Sequence, residues 1–432
     1  MDHYCRNVKV LRYIILLTRI MLIRLTTQVL LVGYNGANNT GAEAKLLVSI
    51  DEIRSVLGEE TQITVPSLNE ANLRRYLTES PTLKIKGFTP TSVFLDLRKF
   101  VKQSDLVLLV EGSCYMDTWG SALLWCYLLA TRYAHSLQKT CIGYAVDAGS
   151  AGRFNRWLIR REASKTDLIL ARTASAAERL KKWGVTAPIE VTADNAFAFQ
   201  PYPQDQETLK RVWPEASHVV GVAAEDIYAW PVHMRLWDRK KYCYRWPYYY
   251  THNKASREKS DLLAKVLALQ SDDIIEEYDK DIALLSMEGL DAGFANKVQL
   301  LMKHPERTKV FTSSEYNASQ ITSILRSLDL LITSRYHAGV LSLPNYVPQT
   351  AIGHDLRIRD LYADLEMNEF FTDHEDPMRF WELSNDVGDI FDHYDSVKEK
   401  LKKGYKMYRE REKRNPQLLK TFLEENHPEW LN

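Results

Sequence analysis

A chain of 432 residues exceeds one ordinary hydrophobic core and suits two domains. Its composition is 45% apolar and 26% charged, with ten Trp and twenty-three Tyr, which excludes a disordered protein and fits a packed one. With 56 basic against 56 acidic residues the formal net charge is zero, so no overall field draws nucleic acid and an anionic ligand must be held by local cations.

The chain opens on an apolar but interrupted run, Val8 to Leu25, broken by Lys9, Arg12, Arg19 and Arg24. It lacks the roughly 20 uninterrupted apolar residues of a membrane span, and it has no secretory-type cleavage site. Three readings of residues 1–28 stay open. They are a basic amphipathic helix touching membrane, an element packed on the domain, and an extension preceding Met21. The five scattered cysteines (Cys5, Cys114, Cys126, Cys141, Cys243) show no metal or redox spacing and are expected to be reduced thiols of a cytoplasmic protein, with no metal site.

Regular alternation begins at Val29–Val32, a short apolar run ending at Gly33, as a buried parallel strand does. Helical periodicity follows over 42–57, closing at Gly58. Further strands are expected at 63–65, 105–110, 141–146, 168–171 and 189–192, with a basic helix over 153–161. Three prolines between Gln200 and Pro214 suggest a linker. The pattern restarts at 219–223 and continues at 282–286, 309–312, 330–333 and 349–352. Strands alternating with helices indicate two Rossmann-like α/β domains facing across a cleft, over 29–200 and 215–385, with ligands beyond the strand carboxyl ends. A helical tail over 386–432 is basic, with nine Lys or Arg against three Glu between Ser396 and Arg414. It reads as a solvated amphipathic helix or as a contact with anionic membrane.

Three constellations can carry chemistry. The loop Gly33 to Gly41 has three glycines ahead of a helix N-terminus, with Asn38, Asn39 and Gly41 placed to meet an anionic ligand; a plain connecting loop is the competing reading. After the strand ending at Thr333, Arg335 and His337 stand two residues apart. Arg offers a planar fork for phosphate or carboxylate, and His moves protons near neutral pH. Pairing with a core carboxylate and helix capping are the structural alternatives. The stretch Val347 to Arg357 brings His354, Asp355 and Arg357 to a neighbouring strand end. Separately, nine aromatic residues between Tyr228 and Tyr250 interleave with Arg235, Arg239, Lys240, Lys241 and Arg245. This reads as an acceptor-binding or lid insertion, a subunit interface, or packing.

Taken in order, these stretches resemble the polysaccharide pyruvyl transferase family. They are Gly33 to Glu43, Leu106 to Asp117, Leu168 to Ser175, Ala193-Asp194, Ser334-Arg335-Tyr336-His337 and Pro348 to Arg357. The family Asp of the first loop is Ala42 here, the glycine triplet reads Glu111-Gly112-Ser113, a Gly-Pro is replaced by Asp147-Ala148-Gly149-Ser150, and the final Tyr-Asp-x-Lys reads His354-Asp355-Leu356-Arg357. The resemblance implies a fold of the glycosyltransferase-B kind. It also implies transfer of pyruvate from phosphoenolpyruvate to a sugar as a ketal, with no cofactor beyond that donor.

On this reading Arg335 takes the donor phosphate with help from Arg172 or Arg357, and Asn38, Asn39 and Gly41 contribute to donor binding. His337 does acid–base work, while Asp117, Asp355, Tyr228 and Trp230 are candidates for the acceptor. The expected partner is a sugar or lipid-linked glycan and not nucleic acid. Peripheral contact with the inner face of the membrane and homo-oligomerisation stay open. Two alternatives are a nucleotide-sugar glycosyltransferase of similar fold and a catalytically inactive glycan-binding homologue.

Overall fold

The computed structural model of the chain describes residues 26–67, 69–88, 92–245, 248–353, 356–375 and 377–431. Of the expected N-terminal extension only 26–28 are among them, and Gln28 already opens the first strand. His354, Asp355 and Trp246 lie outside the described residues.

Strands β1 (Gln28–Val32), β2 (Gln62–Ser67), β3 (Leu83–Gly87), β4 (Leu106–Leu109), β5 (Thr140–Val146), β6 (Leu168–Ala171) and β7 (Ile189–Val191) form one parallel sheet in the order β3-β2-β1-β4-β5-β6-β7. Central strands β4 and β5 are buried along their whole length, as expected where helices cover both faces. The chain continues through β8 (Val219–Ala223) into a small antiparallel sheet of β9 (His233–Met234), β10 (Cys243–Arg245) and β11 (Tyr248–Tyr249). It then completes a second parallel sheet with β12 (Asp281–Ser286), β13 (Thr308–Thr312), β14 (Leu330–Thr333), β15 (Gln349–Gly353) and β16 (Phe371–Asp373). That sheet runs β13-β12-β8-β14-β15-β16. The fold is two Rossmann-like domains.

Three features differ from the sequence expectation. Strands β3 and β16 have no counterpart in it, because Lys84 and Lys86 dilute the apolar run in β3 and β16 is only three residues long. The Pro-rich stretch 200–214 is packed rather than loose: it carries a helix, Thr208–Val212, and Leu209 and Trp213 join the core of the second domain. The C-terminal segment does not stand apart as a tail. Val397, Leu401 and Tyr408 of helix Tyr394–Glu412 join the second core, and Leu419 and Leu423 of helix Arg414–Asn426 return to the first. Several of its cations are engaged, with Lys400 on Glu369 (2.7 Å), Lys403 on Glu366 (3.1 Å) and Arg411 on Asp364 (3.0 Å). Among the described residues no helix is long and apolar enough to cross a membrane.

Each sheet has one point where the strand order reverses, between β1 and β4 in the first domain and between β8 and β14 in the second. Connections leave in opposite directions there and open a crevice beyond the strand ends. The two crevices face each other.

Candidate active site

The cleft between the domains is lined by the residues that follow those switch-point strands. Tyr34, Asn39 and Gly41 come from the end of β1, and Glu111 and Ser113 from the end of β4. Across from them stand Glu225 after β8, Glu288 after β12, and Ser334 to His337 after β14. Trp119, Trp230, Tyr244 and Arg357 complete the walls.

The first-domain loop is held in place by its own cap and by the opposite domain. Asn39 caps helix Thr40–Leu57 by accepting from the Ala42 amide at 3.0 Å, so a short polar side chain satisfies an otherwise orphaned N–H. Its Nδ2 donates to Glu288 Oε2 at 3.1 Å, and the Thr40 amide donates to the Met287 carbonyl at 2.8 Å. Asn38 serves the same junction: Arg75 donates to its Oδ1 (2.9 Å), and the Gly289 amide and Ser313 hydroxyl donate to its carbonyl. Asn38 is thus a clasp between domains, while Asn39 and Gly41 line the cleft.

Arg335 is caged by carboxylates. Its Nε donates to Asp291 Oδ2 at 3.0 Å and its Nη2 to Asp291 Oδ1; Glu225 Oε2 lies 3.1 Å and Glu288 Oε2 3.5 Å from the guanidinium. Burial works against the charge, but the three carboxylates more than offset it and hold Arg335 firmly protonated. Burial in turn raises Glu288 and Asp291 from their ordinary values, with Arg335 opposing. One cation against three anions makes this corner acidic, and the planar fork expected to grip phosphate is already on Asp291.

His337 sits on a buried charge network. Its Nε2 is 3.5 Å from Asp194 Oδ2, an ion-pair distance rather than a firm hydrogen bond. Asp194 accepts from Lys45 Nζ at 3.1 Å and from Arg172 Nη1, and Lys45 also donates to Asn195 Oδ1 (2.9 Å) and the Ala145 carbonyl (3.1 Å). Arg172, fully buried, donates through Nε to Asp147 Oδ2 at 2.7 Å. Burial alone would raise Asp194, yet Lys45, Arg172 and His337 hold it well below the usual carboxylate range. Burial lowers His337, with Asp194 opposing and Arg172 and Lys45 assisting, so its imidazole is neutral at pH 7.

Two glycines make this packing possible. A Cβ on Gly41 would lie 2.0 Å from His337 Nδ1, and one on Gly112 would lie 2.4 Å from an Arg172 nitrogen. Asp147, which departs from the family pattern, supplies a counter-charge for Arg172.

The remaining candidates divide. Arg357 stands on the cleft wall with its guanidinium 5.3 Å from the Trp119 ring and 5.8 Å from that of Tyr336. Trp230 packs edge-on against Trp119 at 4.9 Å and Tyr244 at 5.6 Å, and donates to Glu225 Oε2 at 3.2 Å. Tyr34 and Tyr244 meet hydroxyl to hydroxyl at 2.5 Å, joining the first domain to the aromatic insertion. Arg172 lies beneath the cleft and reaches it through Asp194 and the Tyr336 ring, 4.6 Å away. Tyr228 is turned to the His374 carbonyl (2.8 Å). Asp117 accepts from the Gly152 amide (2.8 Å) and Asn155 (2.7 Å), which orders the start of helix Arg153–Ala163.

Sequence reasoning missed Lys45, Glu225, Glu288 and Asp291. Glu225 and Glu288 each stand two residues beyond a strand of the second sheet, and that position was their only signal. Lys45 had none, since a lone lysine in a helix reads as solvent-facing.

The sequence profile of the family described as polysaccharide pyruvyl transferase matches residues 38–355. A search of curated proteins finds no match. Among solved structures, UDP-GlcNAc 2-epimerase from Neisseria meningitidis bound to UDP-GlcNAc is 11% identical and superposes with a TM-score of 0.59 over 93% of this chain and 100% of that one. A UDP-N-acetylglucosamine 2-epimerase structure from Listeria monocytogenes is 13% identical, with a TM-score of 0.56 over 87% of this chain and 90% of that one. UDP-glucose: anthocyanidin 3-O-glucosyltransferase in complex with UDP is 8% identical, with a TM-score of 0.53 over 93% and 99%. At such low identity these likenesses concern the fold, the glycosyltransferase-B arrangement of two Rossmann-like domains.

Proposed function

Because the chain belongs to the polysaccharide pyruvyl transferase family, we propose that its cleft transfers the pyruvyl group of phosphoenolpyruvate to a sugar diol as a cyclic ketal. The observation that carries this reading is His337: an imidazole on the cleft wall whose Nε2 lies 3.5 Å from Asp194, itself held by two buried cations.

The reaction needs a proton at C3 of the donor, tolerance of positive charge at C2, and two sugar hydroxyls delivered to C2 as phosphate leaves. His337, on the cleft wall beside Asp194, is the group assigned to take the proton of the first hydroxyl. As the sugar oxygen bonds to C2, the proton it gave up is matched by the one C3 gains to become a methyl; the C2–O bond to phosphate then breaks, and phosphate carries off the proton of the second hydroxyl. The second hydroxyl closes the ring, so one donor and one diol give one ketal and one phosphate. The acidic corner of Glu225, Glu288 and Asp291 suits the developing positive charge at C2, with Arg335 keeping those carboxylates oriented. Arg357, on the cleft wall against the Trp119 and Tyr336 rings, is the guanidinium assigned to the donor phosphate. Trp119, Trp230 and Tyr244 offer ring faces and edges to a sugar. The scheme calls on no cofactor beyond the donor.

The test is incubation with phosphoenolpyruvate and a panel of free, nucleotide-linked and lipid-linked sugars. Acceptor-dependent phosphate release together with a new ketal methyl signal in the proton spectrum is expected. Phosphate release without the methyl signal, or neither with any acceptor, contradicts the reading.

A further inference from the structure

Beside the cleft lies a second cavity of about 380 Å³ whose walls are overwhelmingly apolar. Val93, Phe94 and Leu97 from helix Val93–Gln103 face Ala122, Trp125 and Cys126 from helix Ser121–Ser136. Burial pushes the Cys126 thiol up to about 11, so it remains protonated and serves as one more small apolar surface. Left empty, the apolar walls of such a groove face water and lack dispersion partners.

Two further observations say what fills it. Tyr34, Leu123 and Tyr244 border this groove and the candidate active site alike, so the groove adjoins the cleft across one shared wall. At its mouth large apolar side chains are left in water: Phe94 is 48% exposed and Met234 59%, and Leu95, next to Phe94 in sequence, is 78% exposed. A slot that starts at the sugar-binding walls and ends at an exposed apolar rim fits a chain-like hydrocarbon attached to the sugar. A second protein copy would need a broad face instead.

We propose that this groove holds the first part of the hydrocarbon tail of a lipid-linked acceptor, whose sugar lies in the cleft. The inference rests on the transfer reading for the identity of the sugar-bearing ligand, while binding of a hydrocarbon chain can be measured without any turnover.

The probe is dodecyl maltoside brominated on its alkyl chain, used below its micelle-forming concentration with the full-length protein and no phosphoenolpyruvate. Saturable quenching of tryptophan fluorescence is expected, and most of it should vanish in Trp125→Phe. Each methylene moved from water into the groove is worth about fourfold in affinity, so the four extra methylenes of dodecyl maltoside should tighten binding over octyl maltoside by about 250-fold if all are buried and by about 16-fold if two are. Ala122→Phe, which fills the groove, should abolish the quenching; Phe94→Ser at the exposed mouth provides a second variant should the first lose its fold. Absence of saturable quenching, or quenching undiminished in a folded Ala122→Phe protein, overturns the proposal. Self-association that disappears in Phe94→Ser, with no alkyl-chain binding, assigns the groove to a second copy and also overturns it. Donor turnover on a water-soluble sugar without chain binding removes the groove and spares the transfer reading. Chain binding without donor turnover does the reverse.

Discussion

Gly41 and His337 occupy one space: a methyl group on residue 41 would lie 2.0 Å from the imidazole Nδ1 and 2.7 Å from Cβ of the histidine. The N-terminus of the first-domain helix therefore approaches the second-domain histidine as closely as a glycine allows. Gly41→Ala should push the imidazole out of line and lower turnover on the order of a hundredfold. The same change favours the helix by about 1 kcal/mol in propensity, so melting temperature should change little. Phosphate release and a thermal scan on one preparation check both. Unaltered turnover would mean that the imidazole position is irrelevant.

Glu43 gives a prediction about pH and stability. Its carboxyl is buried at the junction of the domains, accepts from the Ala318 amide at 3.1 Å, and is pushed by burial to about 8 from an ordinary 4.5. Between those two values the folded protein holds a proton that the unfolded chain has released. Stability from this group is therefore present below 4.5 and is lost as pH rises toward 8, by up to roughly 1.4 kcal/mol per unit. Glu43→Gln keeps the acceptor and removes the titration. The variant should melt above the parent at pH 8, with the gap narrowing at pH 5; a gap independent of pH would refute the burial argument.

The network beneath His337 should behave as one unit. Lys45, Arg172 and Asp194 are all essentially inaccessible to solvent, so removing one cation leaves charge uncompensated in the interior. Lys45→Met should destabilise the fold by about 3–5 kcal/mol, measured by chemical denaturation. A loss below about 1 kcal/mol would show that the pair is far more solvated than its burial indicates.

Arg335 should be more structural than a simple phosphate clamp. With Asp291, Glu225 and Glu288 gathered around it, Arg335→Ala leaves three carboxylates facing one another. The variant should lose stability at pH 8 and recover part of it at lower pH, as Glu288 and Asp291, raised by burial, take up protons. Thermal scans across that range check this; a pH-independent loss would point to packing instead.

Much of this was legible in the sequence, for a physical reason. Buried parallel strands such as Val29–Val32 and Leu330–Thr333 must be continuously apolar, and the residues just beyond them can only reach the crevice. Arg335, His337, Gly41 and Asn39 were visible on that ground alone. What stayed hidden depends on distance in the chain. Lys45 and Asp194 are separated by 149 residues, and nothing local distinguishes a buried lysine from an exposed one. The acidic cage of Arg335 was hidden for the same reason: its carboxylates come from two strand-end segments, after β8 and after β12, both distant in the chain from Arg335. Asp117 and Tyr228 show the converse: residues that look functional by type are used for a helix start and a loop anchor.

The role of His337 as the acid–base group of a pyruvyl transfer is tested by His337→Ala. The folded histidine lies below its ordinary 6.5, so the parent enzyme should keep full activity down to about that pH and lose it only as the imidazole protonates. Phosphate release from phosphoenolpyruvate in the presence of acceptor should fall by a factor of roughly 10²–10⁴ in the variant, while donor affinity by calorimetry stays within about threefold. Turnover close to the parent in a stably folded His337→Ala protein would contradict the account.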